Sequence, residues 1–255
     1  APAPARLIEG GLPTEATVAQ VLVSKYADHL PLYRQAQIYA RQGINLDRST
    51  LADCVGRAAW HLRPVHERLL EKLKASPMLC IGNAIVDIIA QCDEAFLETN
   101  GIIKGAMNLI DTRRAELLYS RMGPAIEASG GSAGNTAAGV ASFGGSAAFF
   151  GKVSNDALGE IYTHDIHAQG VAFDTRPLKG EPPTARSMIF VTPDGERSMN
   201  TYLGACVELG PEDVEADKAA GARVTYFEGY LWDPPRAKEA IRQTAKLAPP
   251  AAKCL

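Results

Sequence analysis

The sequence predicts an α/β protein: a sheet with helices on its faces and an inserted hairpin, preceded by a short all-α segment. Three observations predict it. Strand-like and helix-like stretches alternate from Met78 onward, the apolar spacing before that point is helical, and charge and glycine content change at the same place. Residues 1–77 carry 10 Lys and Arg against 7 Asp and Glu, and residues 78–255 carry 16 against 22, so a chain of net charge −3 joins a segment at +3 to one at −6. Only 4 of the 23 glycines fall in the first part. Such asymmetry marks two units of different character, 1–77 and 78–255, with the boundary at Ala75-Ser76-Pro77-Met78.

Composition excludes several classes. With 46% apolar residues in 255, the chain can bury a core and is not disordered. No run reaches the roughly 18 apolar residues of a membrane span, and the first residues lack the apolar core of a signal peptide. Five scattered cysteines with no C-x-x-C argue against a disulfide framework or a thiolate zinc site, and a cytoplasmic location is expected.

In the first segment Thr14 can cap a helix bearing Val18, Val21, Leu22 and Tyr26. Pro31 starts a second helix that Gly43 stops. Asp47 or Ser49 caps a third with Leu51, Val55 and Ala59 on one face, and a fourth carries Leu62, Val65, Leu69, Leu70 and Leu73. Residues 34–55 read as helix, turn, helix with basic residues at 34, 41, 48 and 57. A DNA-reading helix-turn-helix has this form, and so does a plain helical hairpin with a solvated face; a charge of +3 is small for a phosphate footprint.

In the second segment residues 78–81 and 86–89 form an apolar β run interrupted by Gly82-Asn83. Residues 105–110 read as a strand and 111–121 as a helix capped by Asp111. Residues 125–128 lead into Ser129-Gly130-Gly131-Ser132-Ala133-Gly134-Asn135 and an Ala-rich helix over 136–143. A strand at 147–153 and a helix at 157–169 follow. Residues 185–191 and 197–203 flank Thr192-Pro193-Asp194-Gly195, a strong hairpin turn. A strand at 224–227 and a helix at 235–247 complete the pattern.

The Gly130–Asn135 loop carries the most chemistry. Glycines at a strand end allow close backbone approach, and the next helix offers unpaired N–H donors to a polar ligand. Asn135 in the first turn adds an amide. Tight strand-to-helix packing explains the same glycines equally well. Asp87 stands inside an apolar strand, where a carboxylate needs a partner or a ligand unless it is exposed at the strand end. Glu228, after 224–227, follows the same logic, and carboxylates so placed suit hydroxyl-rich ligands. His164 and His167 lack an evident third metal ligand, and Trp60 and Trp232 read as packing residues.

Taken together, Gly82-Asn83-Ala84-Ile85-Val86-Asp87, Gly130-Gly131-Ser132-Ala133-Gly134-Asn135-Thr136-Ala137, Phe150-Gly151-Lys152-Val153, Asp194-Gly195-Glu196-Arg197-Ser198 and Glu228-Gly229-Tyr230-Leu231-Trp232-Asp233 resemble the pfkB family of carbohydrate and nucleoside kinases, with the adenosine-kinase-like branch nearest. The resemblance covers 78–248. It implies a ribokinase-like fold in which Asp87, Gly131 and Asn135 hold sugar hydroxyls, with Asn83 and Gly130 beside them and Glu228 near the sugar. It also implies a lid that includes 185–203, from which Arg197 either approaches a phosphate or stays solvated. The family transfers a phosphoryl group from ATP, with Mg²⁺, to a sugar or nucleoside hydroxyl. Its G-A-G-D turn, whose Asp is the base, does not occur in these 255 residues. The expectation is therefore an incomplete kinase sheet that holds substrate without turnover, with doubtful ATP binding and a bare sheet edge prone to oligomerisation or aggregation. Residues 5–76, through Lys25-Tyr26-Ala27-Asp28-His29-Leu30-Pro31-Leu32-Tyr33-Arg34-Gln35 and Asp47-Arg48-Ser49-Thr50-Leu51, resemble the insertion-sequence transposase family numbered sixty-six, a DDE family. The pattern ends before the acidic triad, so a weak DNA contact through 1–77 is the most that segment is expected to supply, and a fusion with no selected function is the remaining alternative.

Overall fold

The computed structural model describes residues 13–250 and the backbone of Lys253 and Cys254. Residues 1–12, which include the start of the transposase-like stretch, and residues 251, 252 and 255 of the tail lie outside the described residues. The chain divides into two compact units between Leu69 and Leu70.

The first unit is built on three helices: α1 (Glu15–Tyr26), α2 (Leu32–Arg41) and α3 (Arg48–Lys74), the last running on into the second unit. The Thr14 hydroxyl accepts the Thr17 N–H and caps α1. Of the two expected caps of α3, Asp47 takes the role, accepting the Thr50 N–H at 2.8 Å. Val18 packs on Cys54 and Ala58, with Leu22 beside them. The buried Gln35 amide donates to the Val21 and Leu30 carbonyls and ties α2 to α1. The four expected helices are three, because α3 continues through Pro64 as one 27-residue helix. An interior proline removes one N–H and crowds the carbonyl four residues back; here that carbonyl belongs to the exposed Trp60, and Ala58, Ala59 and Leu62 favour helix around it.

The second unit contains β1 (Met78–Ile81), β2 (Ile85–Gln91), α4 (Glu94–Thr99), β3 (Met107–Leu109), α5 (Thr112–Arg121), β4 (Ala125–Gly130), α6 (Ser132–Ser142), β5 (Ala147–Phe150), α7 (Ala157–Ala168), β6 (Val171–Ala172), β7 (Ala185–Val191), β8 (Arg197–Tyr202), α8 (Ala216–Gly221), β9 (Val224–Phe227), α9 (Pro235–Leu247) and β10 (Lys253–Cys254). Two five-stranded sheets result. The first is parallel, in the order β10-β9-β1-β5-β6. The second is mixed, in the order β3-β8-β7-β2-β4. The apolar run at 78–89 is thus not one interrupted strand. The chain leaves the first sheet at Ile81 and joins the second at Ile85.

Period-two alternation explains the layers. On one face of the first sheet Cys80 and Phe149 pack on Ala133 and Ala137 of α6 and on Tyr162 of α7. On the other, Leu79, Ile81 and Phe150 pack on α8 and α9 through Ala219, Ala237, Ala240 and Ile241. Helices on both faces of a parallel sheet are the expected α/β arrangement. Among the described residues its outer strands are β10 and β6. In the second sheet Met188 and Phe190 pack on Ala115 and Leu118 of α5, while Ile89, Ile126, Met107 and Leu109 lie exposed on the opposite face. The register places Asp87 on that exposed face.

Lys152 follows β5 and is buried against Asp213 at 2.5 Å, and the second Asp213 oxygen accepts the Gly210 N–H. Removing one member of a buried pair strands the other charge. Lys152→Met is expected to destabilise the chain by about 3–5 kcal/mol in chemical denaturation, and Lys152→Met with Asp213→Asn to recover much of that loss.

Candidate functional site

The site is assembled where β1 ends, β2 begins and α6 starts. Gly131 has φ 82° and faces the Asn83 carbonyl so closely that any Cβ there would collide with it. Two causes therefore demand glycine at 131, a left-handed backbone and a backbone neighbour. Gly130 lies under the Asp87 carboxylate, and a Cβ at 130 would displace both carboxylate oxygens. From below, the buried Tyr162 hydroxyl donates to the Gly130 carbonyl at 3.4 Å, and Asp165 accepts the Ser129 N–H at 2.6 Å. The loop is braced from α7 on one side and covered by the Asp87 carboxylate on the other.

Asn135 stands in the first turn of α6, as expected, but the helix begins at Ser132 rather than 136, with no gap between glycine loop and helix. Its side chain is exposed. The Asn83 Oδ1 is buried without a hydrogen-bond partner among the described residues, a condition a ligand donor would relieve. β9 pairs with β1 so that Ile81 lies opposite Phe227, which puts Glu228 and Gly82 at matching positions past the strand ends. The Tyr226 hydroxyl donates to Glu228 Oε1 at 2.9 Å. Asn83, Asp87, Gly130, Gly131, Asn135 and Glu228 therefore share the carboxyl-end side of the parallel sheet, where open α/β sheets bind ligands.

Burial pushes the Asp87 carboxyl up to about 6, and the positive charge of Arg197 opposes that rise. Arg197 opens β8 in an exposed position, on the same face of the second sheet as Asp87. An Asp in this state is mostly ionised at neutral pH yet poorly solvated. It can accept two hydrogen bonds from hydroxyl donors and gains more by doing so than a surface carboxylate does.

Other candidates fall away. His167 Nε2 pairs with the Phe173 carbonyl, and no group of three His, Cys, Asp or Glu suited to a metal ion exists among the described residues. Trp60 is 63% exposed, so the packing role expected for it does not hold; Trp232 lies under Lys238 and Arg242. A groove of about 220 Å³ at the far end of β2, lined by Gln91, Cys92, Asp93, Phe96 and Arg121, contains none of the site residues. Sequence reasoning missed Tyr226, although its place two residues before Glu228 puts both on one face of an extended chain. No described helix is long and apolar enough to cross a membrane.

Known proteins resemble this chain in two stretches. The model of the transposase IS66 family matches residues 10–91, and that of the pfkB family carbohydrate kinases matches residues 123–254. The solved adenosine kinase from Sinorhizobium meliloti is 76% identical with a TM-score of 0.66, over 70% of this chain and 55% of that one. The solved probable sugar kinase protein from Rhizobium etli CFN 42 is 73% identical with a TM-score of 0.64, over 68% of this chain and 52% of that one. Uncharacterized protein y4jD of Sinorhizobium fredii is 54% identical over 77 residues, 30% of this chain and 15% of that protein. This chain spans about half the length of the solved kinases it matches and a smaller share of y4jD. Residues 78–91, with Asn83 and Asp87, fall inside the transposase match, yet they form β1 and β2 of the α/β unit.

The raised carboxyl of Asp87 makes a signed prediction. Its folded state favours the neutral form, so ionisation costs stability above pH 6, and the cost fades as pH falls through 6 toward the ordinary 3.8. Asp87→Asn is expected to gain about 1–2 kcal/mol at pH 8. Thermal melts across pH should show that gain vanishing near pH 4; a gain independent of pH would contradict it.

Proposed function

The chain belongs to the pfkB family of carbohydrate kinases, and on that footing we propose that its α/β unit holds the hydroxyls of a nucleoside, adenosine before other sugars. The observation that carries the proposal is the half-buried Asp87 carboxylate held over Gly130. Asp87 accepts two ligand hydroxyls, Asn83 and Asn135 supply amide contacts, and Gly130 and Gly131 let the sugar ring approach the backbone. Glu228 accepts a further hydroxyl from the opposite side. Adenosine is preferred because the 76% identical solved chain is an adenosine kinase.

Kinases of this family draw the phosphoryl group from ATP, typically with Mg²⁺. The described residues contain no carboxylate cluster suited to a metal ion, and no step through either group is assigned to them. The role proposed is holding the acceptor, and the chain by itself is proposed to have negligible turnover. Arg197 is proposed to tune Asp87 by its charge.

Calorimetric titration of the purified full chain with adenosine at pH 7.5, ribose serving as comparison, tests the reading. Asp87→Ala is expected to weaken adenosine binding at least about tenfold, the scale of a lost charged hydrogen bond. Equal heats for wild type and Asp87→Ala would refute a site at Asp87. With ATP and Mg²⁺ added, no phosphorylated nucleoside should accumulate, and robust turnover would overturn the holding-only role.

A further inference from the structure

Among the described residues, Tyr226 is the one seen to bond directly to a proposed ligand-holding carboxylate while serving no ligand role in that reading. Its ring is packed against the cluster formed by Cys80, Ala133 and Ala137, so the phenol has a fixed direction. Its hydroxyl donates to Glu228 Oε1 at 2.9 Å. The Thr136 hydroxyl interacts with the same phenol, and Thr136 follows Asn135 in the first turn of α6. A single packed side chain thus links the end of β9 to the start of the helix that carries Asn135.

We propose that Tyr226 is a positioning residue that fixes the Glu228 carboxylate through Oε1 and leaves Oε2 for a ligand hydroxyl. Glu228 opens a short 3-10 turn over Gly229–Leu231, and its side chain accepts no backbone N–H of that turn. Without a tether, a three-torsion Glu side chain loses rotamer entropy when a ligand immobilises it. The phenol removes that loss in advance, at the cost of a hydrogen bond that also satisfies a partly buried tyrosine hydroxyl. The bond to Glu228, with partial burial and the Glu228 charge, pushes the Tyr226 hydroxyl above its ordinary range.

This inference rests on the ligand-holding reading above, and its test separates the two. Adenosine affinity is measured for Tyr226→Phe, Glu228→Gln and the double variant. Tyr226→Phe keeps the ring packing and is expected to weaken binding about five- to tenfold, with no further loss when added to Glu228→Gln. A full additional loss in the Glu228→Gln background would mean a merely structural effect and would overturn the proposal. In parallel, ultraviolet titration of the tyrosines, with Tyr226 identified by its loss in Tyr226→Phe, should show its ionisation moving down in Glu228→Gln. An unchanged titration overturns the pair whether or not Tyr226→Phe folds. If wild type binds no adenosine, the ligand-holding reading falls, while the titration still decides the Tyr226–Glu228 pair.

Discussion

The whole site depends on one close approach, that of the Asn83 carbonyl to Gly131. The chain has three residues in which to leave a parallel sheet and enter a mixed one. Backbone packed on backbone is the tightest contact a fold can make, and only a residue without Cβ tolerates it. That contact sets the start of α6 against the end of β1. With it fixed, β2 lays Asp87 over Gly130, and the first turn of α6 carries Asn135, followed by Thr136. Loosening it would move each of these at once, whereas changing any one of them leaves the others in place.

Holding power and stability oppose each other at Asp87. The fold would be more stable with a neutral side chain there, and the electrostatic relief from Arg197 is partial. A group kept at such a cost is what the proposed ligand-holding role calls for. The buried Lys152–Asp213 pair is the contrasting case: both charges are sequestered, each satisfies the other, and Asp213 also takes a backbone N–H. Its work is to hold the segment after β5 to the turn before α8.

Much of this was legible in the residues. Thr14 and Asp111 cap the helices assigned to them, the turn at 192–195 closes the hairpin between β7 and β8, and the alternation after Met78 is an α/β unit. These features are local: a capping oxygen or a turn glycine acts within four residues. Illegible features were those that need a partner. Periodicity marks residues 78–81 and 86–89 as one interrupted β run, not as strands of different sheets. Pro64 signals a break, and only the helix-forming neighbours and the exposed position of Trp60 make it harmless. The Tyr226–Glu228 bond looks, in sequence, like any aromatic residue near an acid. The residues 78–91 are a further case, since a match to one family and a fold shared with another meet in the same fourteen positions.

The glycine loop is rigid at Gly130 and Gly131 and open immediately afterwards. Ser132, the first residue of α6, is exposed and sits beside both glycines, as does Asn135 one turn on. A side chain added at 131 meets the Asn83 carbonyl, whereas the exposed Ser132 begins the helix without that constraint. Under the proposed ligand-holding reading, the surface beside the loop would therefore be open to substitution at 132 while Gly131 is not.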